Sequence, residues 1–151
     1  MDVLHWVQAK RPGTITETLD RIEIAHATGE RSTIWIAGQS APNFCVGGGF
    51  YSRYDGADLF SSTFKIASSM RRERAGVPLV FSLEEFLVES RHLGVEFPHG
   101  TRPFMYQSGI GHYAVDGNGC IHEWDTEIGG ITATYPSIID VLDEWLAALD
   151  G

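Results

Sequence analysis

The 151-residue chain reads as a single α+β domain with an antiparallel or mixed central sheet and flanking helices. Three observations predict it. Runs rich in β-branched and aromatic residues recur along the chain and, in its last third, follow one another across glycine turns as a meander. A capping box in the middle and an amphipathic stripe at the end supply helices able to cover a sheet. Hydrophobic residues at 43% and charged residues at 21% are ordinary globular values. A chain of this length buries roughly 68–70% of its unfolded surface and needs no staple. No repeat or low-complexity linker divides it.

The first ten residues, Met1 to Lys10, have neither a basic start nor a long apolar run, so no signal peptide is expected. Thr14 to Gly29 places Ile15, Leu19, Ile22 and Ala25 at helical spacing, with threonines as caps and Gly29 as a stop, which predicts a helix. Ser32 to Ala37 is β-branched and aromatic and predicts a strand ending at Gly38. Gly47-Gly48-Gly49 is followed by Phe50 and Tyr51 with no Gly-Lys-Ser/Thr, which excludes a phosphate loop and predicts a flexible connector. Leu59-Phe60 and Phe64 to Ala67 predict short extended segments around a turn. Arg71, Arg72 and Arg74 form the one basic cluster. Without interleaved aromatics it predicts an exposed loop or helix turn, not a nucleic-acid contact.

Val77 to Phe81 predicts a short strand whose proline suits an edge. Ser82 with Glu85 three residues later is a capping box, opening a helix in which Leu83, Phe86 and Leu87 share a face and which stops near Gly94. Phe104 to Tyr106 and His112 to Val115 predict strands across a glycine turn. Asp116-Gly117-Asn118-Gly119 is a tight-turn sequence, and Cys120 to Asp125 is the return strand. A two-residue loop would put Tyr113, Val115, Cys120, His122 and Trp124 on one face; a three-residue loop would regroup them. Ile131 to Tyr135 predicts another strand. Ser137 then caps a helix whose Ile138, Val141, Leu142, Trp145, Leu146 and Leu149 make one stripe to dock on the sheet.

Charge is regional. Of the net −9, the last 49 residues supply −8: from Pro103 onward there is no Lys or Arg, while Asp116, Glu123, Asp125, Glu127, Asp140, Asp143, Glu144 and Asp150 are present. Such a surface repels phosphate backbones and attracts basic partners. Cys45 and Cys120 belong to no Cys-x-x-Cys pair, which excludes a zinc ribbon. One disulfide is open to them, but two buried thiols in a reducing compartment are the expectation. No run approaches the ~20 apolar residues of a membrane span, and a cytoplasmic protein is expected.

Tyr51 to Phe60 (aromatic-x-x-Tyr-Asp-Gly-Ala-Asp-Leu-Phe), then Ser108 to Asp116, then Gly119 to Glu127, then the terminal amphipathic helix, together resemble the SUKH superfamily over residues 51–149. The order of the segments carries the resemblance. It implies an α+β sheet packed by helices and, as in many bacterial members, an immunity protein that neutralises a toxin, often a nuclease or deaminase. Other members are intracellular interaction modules. Family members commonly open with a helix leading into a Leu-Pro turn; here Thr14 to Gly29 leads to Thr33-Ile34-Trp35-Ile36 without it, so residues 1–50 are atypical. The family has no shared catalytic constellation to carry over.

The expected function is therefore protein binding without catalysis, cofactor or metal. Asp116, Glu123, Trp124, Asp125 and Glu127 are the candidate contacts for a basic protein partner such as a toxin domain, with no nucleic acid or membrane involved. The alternatives are a general interaction module, or a metal-dependent hydrolase drawing ligands from His112, Asp116, His122, Glu123, Asp125 and Glu127. The spacing of those six matches no known ligand motif, and Cys45 in Asn-Phe-Cys-Val has no helix start to activate it.

Overall fold

The computed structural model describes residues 1–39, 41–42 and 45–150. Asn43 and Phe44, which complete the sequence context of Cys45, lie outside them. The chain runs α1 (Val3–Lys10), β1 (Gly13–Glu17), β2 (Arg21–His26), β3 (Arg31–Ile36), α2 (Phe50–Arg53), β4 (Tyr54–Leu59), β5 (Phe64–Ile66), β6 (Arg72–Arg74), β7 (Val77–Val80), α3 (Leu83–His92), β8 (Arg102–Gln107), β9 (Gly111–Val115), β10 (Ile121–Asp125), β11 (Gly130–Tyr135) and α4 (Ile138–Asp150). Nine strands form one sheet in the order β1-β2-β3-β4-β5-β8-β9-β10-β11, every pair antiparallel, and β6-β7 is a separate hairpin. The α+β expectation holds, and among the described residues the sheet has no parallel strand pair.

The segment expected to be a helix at Thr14 to Gly29 is instead the β1-β2 hairpin. Its apolar residues fit two periods at once, and the period of two wins because Ile22, Ile24 and His26 alternate toward the core. Leu19 stands fully exposed at the turn, where the Thr18 amide donates to the Arg21 carbonyl. Gly29, at φ +92°, closes the β2-β3 turn. A helix does form where none was expected: Asp2 caps α1 by accepting from the His5 amide at 3.0 Å, and Val3, Trp6 and Val7 are buried.

One face of the sheet carries Ile24, Ile34, Leu59, Phe64, Ile66, Met105, Tyr113 and Ile121, and α1 and α4 pack on it. Ile138, Val141, Leu142 and Leu146 of the predicted stripe are buried there. Trp145 is half-buried, stacked on Phe60 at 5.0 Å and edge-on to Phe64 at 5.4 Å. The stripe ends sooner than its spacing implies, for Leu149 is 60% exposed. Trp6 Nε1 donates to Asp143 Oδ1 at 2.8 Å, joining the two helices. Ser137 caps α4 as expected, its hydroxyl accepting from the Asp140 amide at 3.4 Å and donating to Asp140 Oδ2 at 2.6 Å. The capping box of Ser82 and Glu85 is formed on α3.

The opposite face is covered by the β6-β7 hairpin and α3. Arg72 and Arg74 lie in β6, neither in an exposed loop nor in a helix turn, whereas Arg71 stands exposed just before the strand as expected, and each of the three meets a carboxylate of the chain. Arg72 donates to buried Asp55 at 3.0 Å, Arg74 to Glu23 at 3.0 Å, and Arg71 to Glu85. Gly47 and its neighbours are likewise no slack connector. The Gly47 amide donates to the Gly119 carbonyl at 2.8 Å, and a Cβ on Gly47 would lie 1.7 Å from the Pro136 carbonyl oxygen. The expectation of two buried thiols is also corrected: Cys45 is exposed and Cys120 half-buried, both free. No helix among the described residues is long and apolar enough to cross a membrane.

Candidate partner-binding groove

The β9-β10 hairpin settles which residues can act together. Val115 pairs with Ile121, Tyr113 with Glu123 and His112 with Trp124, while Asp116 and Cys120 bond each other around a three-residue loop. The two-residue grouping is thereby replaced. Tyr113, Val115, Ile121 and Glu123 face α4, and His112, Ala114, His122 and Trp124 face the other way.

The five candidate contacts are consequently dispersed. Asp116 is occupied within the turn, accepting from the amides of Asn118 at 2.8 Å and Cys120 at 3.1 Å and lying 2.9 Å from His122 Nε2. Hydrogen bonding to His122 and to those amides holds its carboxyl below the usual range, outweighing slight burial. Asp125 does the same work in the β10-β11 turn, accepting from the amides of Glu127 and Ile128 at 2.8 and 3.1 Å. Glu127 is exposed at that turn. The two turns lie at opposite ends of β10, about 17 Å apart at ~3.4 Å per residue. Trp124 is on the other face, edge-on to Phe97 at 6.1 Å. The six ligands of the hydrolase alternative are divided the same way. Among the described residues no three His, Cys, Asp or Glu side chains gather as a metal set.

Glu123 has different surroundings. It half-emerges into a groove of about 470 Å³ between α4 and the β8-β9 turn. The Tyr113 hydroxyl donates to Glu123 Oε1 at 2.9 Å and also lies 2.8 Å from Gln107 Oε1; Thr132, set beside it by a β-bulge after Glu123, donates to Oε2 at 2.9 Å. Glu144 of α4 lines the same groove. Burial, then the charge of Glu123, pushes the Tyr113 phenol far up, and burial with hydrogen bonds to Glu144 and Glu123 does so for Tyr135. Both phenols therefore stay protonated donors that fix the carboxylates between them. Ile110, Val141, Trp145, Ala148 and Leu149 give the wall its apolar part, and Thr63 and Ser108 add hydroxyls.

No Lys or Arg follows Arg102 in the sequence, and neither Glu123 nor Glu144 is in an ion pair among the described residues. Two carboxylates, oriented by hydrogen bonds and flanked by exposed apolar surface, suit the long stem and charged head of a lysine or arginine. Sequence spacing singled out Glu123 but not Glu144, Tyr135, Trp145 or Leu149, because the groove exists only once α4 lies across β9 and β10. No family model, curated protein or solved structure matches the chain.

Proposed function

We propose that this chain is a non-catalytic protein-binding domain that takes a basic side chain of its partner into the Glu123/Glu144 groove, and that it serves as an immunity protein of SUKH type. The observation that carries the binding reading is the convergence of two carboxylates, in no ion pair among the described residues, on a largely apolar groove. The resemblance over residues 51–149 supports the immunity role. The mechanism is occlusion. A nuclease toxin must hold phosphates with lysines and arginines, and an acidic groove ringed by Ile110, Trp145 and Leu149 competes for those same residues. Asp116 and Asp125, being engaged in turns, contribute field more than contact, whereas exposed Glu127 adds to long-range steering.

The test uses the product of the gene adjacent to this one. Co-expression should relieve its toxicity, and the two purified proteins should associate with a rate that falls as salt rises. Glu123→Gln with Glu144→Gln should weaken the complex about 30-fold, equivalent to ~2 kcal/mol, mainly through faster dissociation. An unchanged affinity removes the groove from the interface, and a neighbour that is neither toxic nor bound removes the immunity role.

A further inference from the structure

A second cavity, of about 280 Å³, lies on the opposite face of the sheet between α3, β7 and the paired strands β8 and β9. Its apolar and aromatic walls include Leu79, Phe81, Phe86 and Tyr106, and among the polar side chains that line it are Ser90 from α3 and His112 from β9. These two are 2% and 5% exposed. The Ser90 hydroxyl and both His112 ring nitrogens are buried without any hydrogen-bond partner among the described residues. Buried polar groups are nearly always satisfied, and the rare orphan calls for an explanation. Here three orphaned atoms belong to two side chains that border one apolar cavity.

We propose that this cavity binds a small neutral molecule made of an apolar ring and one hydroxyl, with the ring among the aromatic walls and the hydroxyl shared between Ser90 and His112. Each part of that description follows from the lining. At the ~30 Å³ occupied per molecule of liquid water, 280 Å³ holds roughly nine non-hydrogen atoms, the size of one substituted ring. Lys65 and Glu89 also line the cavity and their charges offset, so no net charge is selected. Burial pulls the His112 ring below its usual range, against a weaker upward pull from Glu89. The imidazole is thus neutral near pH 7, with one donor and one acceptor, the complement of a hydroxyl. The His112 ring packs against Tyr106 at 4.9 Å. To reach the ligand it turns a nitrogen toward the cavity it already borders, by rotation about the broad, two-fold χ2 torsion.

The experiment titrates the full chain with 4-ethylphenol and, separately, with ethylbenzene, which has the same ring without the hydroxyl. Backbone amide and imidazole nitrogen resonances are followed by NMR. 4-Ethylphenol should bind at ~0.1–1 mM, a fair ligand efficiency for nine heavy atoms, and should move the Ser90 amide and the His112 ring nitrogens. Ethylbenzene should bind roughly threefold to tenfold more weakly, the value of one neutral hydrogen bond. His112→Phe should abolish that preference. If that variant does not fold, Ser90→Ala, which removes only a hydroxyl, should reduce it. Equal affinity for the two probes, a preference untouched by the substitution that folds, or no shift at Ser90 and His112 would each overturn the proposal.

Discussion

Replacing Arg72 with alanine removes the cation from the most deeply buried ion pair among the described residues. Asp55 is 2% exposed and accepts from the Ser69 amide at 2.7 Å, the Ser69 hydroxyl at 2.5 Å and Arg72 Nη2 at 3.0 Å. The guanidinium also donates through Nε to Ser68 Oγ at 2.9 Å and lies 5.6 Å from the ring centre of Trp35. Breaking a buried pair from one side costs about 3–5 kcal/mol, and the two bonds from Ser69 that remain favour the lower end. Loss of the cation–π contact adds ~1 kcal/mol. The sum, about 4 kcal/mol, is a large part of the 5–15 kcal/mol that typically stabilises a domain. Urea unfolding followed by tryptophan fluorescence measures it, with Arg71→Ala as the comparison, since the Arg71–Glu85 pair is on the surface and its removal should change little. A cycle with Asp55→Asn should show coupling of about 2 kcal/mol or more between positions 55 and 72. The reasoning fails if Arg72→Ala stays within ~1 kcal/mol of the natural chain. It fails differently if stability is unchanged while affinity for a polyanion such as heparin falls, for then the arginines are an exposed basic patch after all.

Two further outcomes are expected. Gly47→Ala should destabilise the fold by more than ~3 kcal/mol because the new Cβ meets backbone 1.7 Å away, whereas Gly76→Ala, at φ +78° with open space around it, should cost only about 1 kcal/mol; comparable losses in urea unfolding would refute the close packing of Gly47 against Pro136. Burial raises the Asp58 carboxyl above its ordinary 3.8, against the hydrogen bonds from Ser62 and the charges of Lys65 and Arg74. The folded state therefore holds that proton more tightly than the unfolded chain, and the penalty for ionising it develops as pH rises from 3.8 through the folded value. Asp58→Asn can keep both Ser62 bonds, so it should match the natural chain near pH 3 and gain on it toward neutral pH; a relative stability that declines with rising pH contradicts this.

The legible elements were those whose local chemistry admits one solution. Ser82 and Glu85 satisfy each other's backbone donors whatever surrounds them, and the stripe on α4 has no extended alternative. Thr14 to Gly29 admitted two solutions, and the outcome rested on the sheet edge offered by β3, a partner distant from β1. The Asp116 turn announced a hairpin, but the faces of Tyr113, Glu123 and Trp124 depended on one residue of loop length.

What the sequence by itself determined is the α+β class, the caps of α3 and α4, the meander of β8 to β11 and the anionic character of everything after Arg102, all set by neighbours within a few positions or by composition. What only the tertiary structure decided is where that charge gathers. Asp116 and Asp125 were drawn into turns, Trp124 was sent to the opposite face, and Glu123 was brought beside Glu144 with Tyr113 and Tyr135 between them. Side chains on β10 and α4 meet through the docking of a helix across a sheet, an arrangement chosen by apolar burial over the whole core and not by the spacing of the residues that meet.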